Sequence, residues 1–446
     1  AGLALGPVLR HPRYYASGPA ATASDVRAVG AGLVAAAAIV QAAAPPGRGR
    51  VRLIGGARST VLGGVAVAAA IAAGLCMIIA APAPRIDVWH LLQVSSRGLV
   101  DGRDMYRQQW APSAAAHQAA GGGLLDVYPY LPGSSVLLAP FRLLFGDVRY
   151  GLLAASTAAA VAVRRLSLTG PGARAGAGVA AVGAPLLVLL FPESTYALQQ
   201  SWTEPLLVAA LAGMVWAVRT GRTRLAVFAL AAALASKQHI VLVLPVAAAW
   251  PAFGPRRTAA ATGLAAAFVA PWVIAGPRDF WHDAVVTNLN YRVLDDSLSI
   301  PGWLHHFGLN PGFGLTAVAL ALAYRLAWRA RGTATGFAGG SGLVIVALDL
   351  TNKQTFFNHY TLAMGLVAIA LAAHGSAPSS GDVTASAVDV ATDAPATGAE
   401  VGASVGGPAG REPGGALRPP VPGPRESPTP PPARPAPTPR PGPGPA

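Results

Sequence analysis

The chain alternates between apolar runs and short arginine clusters, and this pattern limits its folds more than any other feature. The apolar runs cover about 28–44, 60–82, 150–163, 176–192, 205–218, 225–236, 239–251, 258–275, 312–328, 336–350 and 360–373. Between them lie Arg48, Arg50 and Arg52; Arg164 and Arg165; Arg219, Arg222 and Arg224; Arg256 and Arg257; and Arg325, Arg329 and Arg331. Backbone amides have no water to bind inside a bilayer, so spanning segments of this kind are helices. Only 12% of the 446 residues are charged and 53% are hydrophobic. A soluble domain carries about twice that charge. The expected fold is therefore all-α: a polytopic transmembrane helical bundle of about 10–12 spans. Some spans are short or re-entrant, the first outer loop is long, and the C-terminal tail is disordered.

A net charge of +14 at pH 7 suggests nucleic acid at first sight. The arginines, however, follow the positive-inside pattern of an inner (plasma) membrane protein, and no nucleic-acid partner is expected. Loops 45–59, 164–175, 219–224, 252–257 and 325–335 then face the cytoplasm. Loops 83–149, 193–204, 276–311 and 351–359 face outward. This puts the N-terminus outside despite Arg10, Arg13 and Arg27, so either 28–44 does not span or a preceding helix is missing. The lone Cys76 excludes a disulfide scaffold and is expected only to pack.

The chain divides into a poorly defined N-terminal segment at 1–59 with one candidate span, a transmembrane domain at 60–373, and a tail at 374–446. The tail is rich in proline, glycine, alanine, serine and threonine, and reads as disordered and polyproline-prone. It offers a docking segment for an unknown protein partner.

The polar residues are unevenly placed. There are 31 arginines but only two lysines, Lys237 and Lys353, and each is followed by glutamine. Both fall on the predicted outer side, as do all five asparagines. Segment 225–251 is too long for one ordinary span and is broken at Ser236-Lys237-Gln238-His239. Two short helices with Lys237 at the outer turn, beside a pocket, are expected. Ammonium and amide groups gathered there suit a ligand bearing phosphate and hydroxyls. Simple snorkelling of each lysine to the interface is the alternative.

The loop 83–149 opens with Asp87 directly after a span. An acid at that position is placed to act as a base at the membrane surface. It is equally placed to pair with Arg85 or cap a helix. Residues 89–100 read as an amphipathic helix on the membrane, with Trp89, Leu92 and Val94 on its apolar face. Asp101 and Asp104 read as turn and cap residues. Segment 129–145 reads as a short interfacial helix. Glu193 and Glu204 either pair with cations across a cavity or cap helices. Asp295 and Asp296 are candidates for a cation, and Arg292 for a phosphate. No phosphate-binding loop, dinucleotide fingerprint or nucleophile elbow occurs.

The first outer loop carries an acid after a span, an interfacial helix and Asp101-Gly102-Arg103-Asp104-Met105-Tyr106. It resembles that of the GT-C glycosyltransferase superfamily, in particular actinobacterial polyprenyl-phosphate-mannose-dependent alpha-1,2-mannosyltransferases. Tyr128-Pro129-Tyr130-Leu131-Pro132, Leu144-Phe145-Gly146-Asp147, Gln199-Gln200, Lys237-Gln238, Asp296-Ser297-Leu298-Ser299 and Lys353-Gln354-Thr355-Phe356-Phe357-Asn358 add to the likeness, which covers about 60–373. The resemblance implies a donor of sugar on polyprenyl phosphate, most simply mannose, and a glycan or lipid-glycan acceptor on the extracytoplasmic side, with membrane lipid as surroundings. It implies inverting transfer with Asp87 as base. Lys237, Lys353 and Arg292 would stabilise the leaving phosphate, and Gln238, His239, Gln354 and His359 would orient donor or sugar. No metal ligand and no cofactor is assigned. A divalent cation is left open, because Asp87 has no second acid beside it. The rival reading is a transporter or flippase of a lipid-linked or polar solute; a non-catalytic assembly subunit is a third.

Overall fold

The computed structural model describes residues 16–43, 50–84, 86–108, 127–169, 177–191 and 194–374, all within one compact unit. The tail from 375 onward, Arg85 and Glu193 lie outside the described residues. Every described regular element is helical, and each of the eleven apolar runs is found in a helix. Four helices are long and apolar enough to cross a membrane unaided, within Gly18–Gln41, Thr60–Ala80, Gly254–Ala275 and Ala334–Thr351. The others are shorter, broken or more polar.

Helices α1 (Gly18–Ala43) and α2 (Arg50–Ala80) form an antiparallel pair. The Ser17 amide donates to the Ala80 carbonyl, and Ser24 Oγ to the Ala73 carbonyl. Small side chains let the helices approach closely: Ala21, Ala31, Ala35 and Ala38 meet or neighbour Ala66, Ala70 and Met77. The segment 28–44 is thus part of a full-length apolar helix. By length and composition that helix is able to cross a membrane.

Next come α3 (Asp87–Gly98), α4 (Pro132–Phe145), α5 (Arg149–Ser167), α6 (Ala177–Leu190), α7 (Ser194–Gln199) and α8 (Glu204–Arg219). Helix α9 (Thr223–Ser236) ends at Lys237, whose backbone is extended. A 3-10 turn (Gln238–Val243) and α10 (Leu244–Ala249) follow. This is the expected break, with Lys237 at the turn. The chain continues through α11 (Gly254–Ala275), α12 (Pro277–Trp281), a π turn (His282–Val286), α13 (Thr287–Asn290), α14 (Ile300–His305), α15 (Gly312–Ala330), α16 (Ala334–Thr351) and α17 (Phe357–His374).

The main core joins α5, α8, α9, α11 and α15–α17, with Trp250 stacked on Phe337 at 4.8 Å. Close approach in this core needs glycine at Gly340 and Gly365. A Cβ on Gly340 would sit 2.8 Å from Ala327 Cβ, and one on Gly365 would sit 2.5 Å from Val208.

The arginines of the 164–165 and 219–224 clusters gather at one end of the bundle. Arg165 and Arg222 lie over Trp216 at 5.7 and 4.5 Å, and Arg219 donates to the Thr169 carbonyl. The end of α3's own loop, the start of α8, the end of α9 and the start of α17 meet at the opposite end.

Helix α3 differs from its expected setting. Leu91 and Leu92 are fully buried, and Gln93, Ser95 and Ser96 are buried with them. Its apolar face packs on protein, in a cluster with Ile78, Met105, Tyr128, Leu138 and Leu152, and not on lipid. Asp101 pairs loosely with Arg97, and Asp104 accepts from the Tyr106 amide, as turn and cap residues do.

Candidate functional site

The site is built where α8, α9 and α17 meet the loop ahead of α4. Helix α8 starts at Glu204 with proline next to it, a favoured arrangement for a helix start. The chain arrives there through Ser201, the one described non-glycine residue with positive φ (62°). Glu204 is 1% exposed. Its Oε1 accepts from Lys237 Nζ at 2.5 Å and from Asn358 Nδ2 at 3.0 Å, so one carboxylate ties three helices together. Its Oε2 is buried without a hydrogen-bond partner. Lys237 lies within electrostatic reach of Asp349, His239 and His359. Asp349 Oδ2 and His359 Nδ1 are buried and unpartnered too.

Lys237 is held in place from behind. Ser134 Oγ donates to the Ser236 carbonyl at 2.9 Å. Gly133 lies so close that an added Cβ would stand 2.5 Å from the Ala235 carbonyl oxygen and 3.0 Å from the Ser236 nitrogen. The start of α4 is thus fitted to the end of α9.

Tyr130 joins this cluster to Asp87. Lys237 Nζ lies 5.8 Å from the Tyr130 ring centroid. Loss of solvent pushes the Tyr130 hydroxyl well above its usual pKa, and the carboxylates of Asp87 and Glu204 push it further. It stays protonated and able to donate. Asp87 also bears on Tyr291, whose pKa is pushed up to about 12, first by burial. Asp87 begins α3 and its Oδ1 accepts from the Val88 amide at 2.7 Å. Burial raises the Asp87 carboxyl above the ordinary carboxylate range, against the lowering by that hydrogen bond.

Asp87, Lys237, His239 and His359 therefore belong to one neighbourhood, together with Glu204, Asp349, Asn358, Tyr130 and Tyr291. Gln238 is differently engaged. Its Nε2 donates to the Pro129 carbonyl at 2.9 Å and to the Ala284 carbonyl at 2.7 Å. Asn288 Nδ2 donates to the same two carbonyls, at 3.0 and 3.1 Å. Gln354 Nε2 donates to the Arg292 carbonyl and Lys353 Nζ to the Leu289 carbonyl, which ties the 351–356 loop to 289–292. Lys353 also lies 4.7 Å over the Phe313 ring, and Arg292 is exposed. These three form a second group, next to the first through Tyr291.

A small crevice runs along α5, α6, α8 and α17, lined by Ser156, Leu187, Phe191, Pro205, Val208 and Thr361, and Lys237 does not line it. Among the described residues no three His, Cys, Asp or Glu side chains converge as a metal-ligand set. Asp295, weighed above for a cation, accepts from His305 Nδ1 at 2.6 Å, and this contact lowers its pKa.

Sequence reasoning left Asp349, Tyr130 and Tyr291 without a role. Asp349 had a usable signal, since a carboxyl inside an apolar run is a functional pointer. Tyr130 and Tyr291 were visible only as neighbours in motifs.

Residues 128–377, more than half of the chain, match glycosyltransferase family 87. The matched stretch includes the Lys237 cluster and begins after Asp87. No curated protein sequence matches the chain. Among solved structures, the crystal structure of ArnT from Cupriavidus metallidurans bound to undecaprenyl phosphate is similar, with a TM-score of 0.47 and 15% identity. The similarity covers 75% of this chain and 63% of that one, so the chain spans less than two thirds of that protein's length.

Proposed function

The chain belongs to glycosyltransferase family 87, and on that premise we propose that it moves a sugar, most simply mannose, from a polyprenyl-phosphate donor to a hydroxyl of a cell-envelope glycan or lipid-glycan. The reaction runs on the extracytoplasmic side of the inner membrane, opposite the arginine-rich end.

One observation carries this reading: Asp87 and Lys237 both bear on Tyr130. An inverting displacement needs a base at the acceptor and a cation at the leaving phosphate, on opposite faces of the sugar. A carboxyl and an ammonium that both bear on Tyr130 would serve these two ends. Asp87 takes the proton of the acceptor hydroxyl, whose oxygen attacks the anomeric carbon. The bond from that carbon to the phosphate oxygen breaks, and its electrons stay on the phosphate. Lys237 stabilises the growing charge, with His239 and His359 beside it. The raised pKa of Asp87 makes it a stronger base than an exposed aspartate. Arg292, Lys353 and Gln354 bind the donor from the second group. Gln238 keeps Tyr130 in place through the neighbouring Pro129 carbonyl.

The test is transfer in membrane vesicles from radiolabelled polyprenyl-phosphate-mannose, then its arabinose analogue, to a crude envelope acceptor, with and without a chelator. Transfer by wild type that Asp87→Asn abolishes at equal folded amount supports the reading. Unchanged transfer by Asp87→Asn removes Asp87 as base. Transfer of neither sugar by wild type, with an acceptor preparation that a related transferase does use, argues against the reading.

A further inference from the structure

The Lys237 cluster presents a conflict of charge. A phosphate site should carry surplus positive charge. Here Glu204 (1% exposed) holds the one ammonium, and the carboxyl of Asp349 (5% exposed) lies within its electrostatic reach. Glu204 holds that ammonium at 2.5 Å, and a buried pair this close is not screened by solvent. One oxygen of each carboxyl is buried with no hydrogen-bond partner. This is an expensive arrangement for a purely structural tie, since buried carboxylates normally have their oxygens satisfied.

We propose that Glu204 is a resident anion that competes with the lipid phosphate for Lys237 and so sets how readily the spent lipid phosphate leaves. The inference rests on reading Lys237 as a phosphate ligand. The donor's phosphodiester carries one negative charge. The product is a phosphate monoester, which carries between one and two near neutral pH, because its second pKa is about 6. An unopposed ammonium in a dry site would therefore hold product more strongly than donor. Glu204 counters this by offering Lys237 an alternative partner at all times. It is a positioning residue, since it acts through Lys237 and touches neither sugar nor acceptor.

The neutral variant Glu204→Gln tests the proposal. Its amide oxygen still accepts from Asn358. The measurement is equilibrium binding of farnesyl phosphate to the purified full chain in detergent, with farnesol and inorganic phosphate as controls. Product inhibition of transfer by farnesyl phosphate is measured in parallel. Lys237→Ala should weaken binding at least about tenfold, and Glu204→Gln should tighten it by about tenfold, the low end for a close buried charge pair. Product inhibition should strengthen in step in Glu204→Gln. Glu204→Asp, which withdraws the carboxylate by one methylene, should tighten binding about threefold, a smaller part of the same coupling. It serves if Glu204→Gln does not fold. Farnesyl phosphate affinity that is unchanged in Lys237→Ala overturns the phosphate-ligand reading itself. Affinity lost in Lys237→Ala but unchanged or weakened in the Glu204 variant leaves that reading standing and overturns the counter-ion.

Discussion

Arg149 grips Asp147 through Nε at 3.0 and 3.1 Å and through Nη2 at 2.7 Å, and the arginine has no exposure at all. The pair sits where α4 turns into α5. Trp89 Nε1 donates to Asp147 Oδ2 at 3.4 Å, and Arg149 Nη2 donates to the Ile78 carbonyl at 3.4 Å. The pair thus fixes the end of α2 and the start of α3, on either side of Asp87. Asp147→Asn leaves a fully buried guanidinium uncompensated and is expected to cost about 3–5 kcal/mol. Arg149→Met should cost less, because the Asp147 side chain keeps 13% exposure. The double variant should recover most of the loss. Thermal unfolding of all four proteins in detergent gives the cycle; additive losses would remove the pair as a unit.

Transfer is expected to fall as pH drops, because Asp87 must be ionised to act as a base. Burial raises its pKa, so the acid limb should lie above the value of about 3.9 for a free aspartate. Tyr130 stays neutral through this range, since burial and two carboxylates raise its pKa. Tyr130→Phe should therefore leave the position of the limb unchanged even if the rate drops. A pH profile of kcat/KM for both proteins checks this, and a limb at the ordinary aspartate value would count against Asp87.

Gly133→Ala is expected to lower transfer by more than about tenfold without any contact to substrate, as small misplacements at a reacting centre do. The new Cβ would press on the Ala235 carbonyl and the Ser236 nitrogen, which are backbone and cannot swing aside. The turn bearing Lys237 would shift. Gly213→Ala, where nothing lies within 4 Å, is the control and should behave like wild type.

Gln238 and Asn288 serve the same two carbonyls, so each covers for the other. Gln238→Leu or Asn288→Leu alone should cost about 1 kcal/mol. Together they should cost more than the sum, because only the double variant leaves the Pro129 and Ala284 carbonyls without a side-chain donor. Thermal shifts of the three variants decide it; strict additivity would sink the idea.

Much of the fold was legible in the sequence, for physical reasons. The 225–251 run lies between arginine clusters at both ends and has polar residues at its middle, which favours a break into two short helices there. Lys237 lies at that turn. The placement of α3 was not legible. Its periodicity says that Leu92 and Val94 share a region, but not whether lipid or protein meets it. Gln93, Ser95 and Ser96 are buried against α4 and the 146–148 turn, which no local pattern reveals. Within the candidate site, Glu204 and Lys237 were both on the page, but they are 33 residues apart. Their pairing depends on how α8 packs on α9. Asp349 was hidden by its apolar surroundings, the very feature that marks it.

The bonds holding α3 have one more consequence. Trp89 to Asp147, Gln93 to the Gly146 carbonyl and the Val148 amide, and Ser95 and Ser96 to Ser135 are all contacts to protein. A surface helix held by lipid alone would follow the bilayer as its thickness changes. Helix α3 instead moves as part of the bundle. In a thicker or thinner bilayer the helices adjust by tilting, and Asp87 travels with them. The spacing between Asp87 and Tyr130 is then a property of the protein, and lipid chain length has no handle on it.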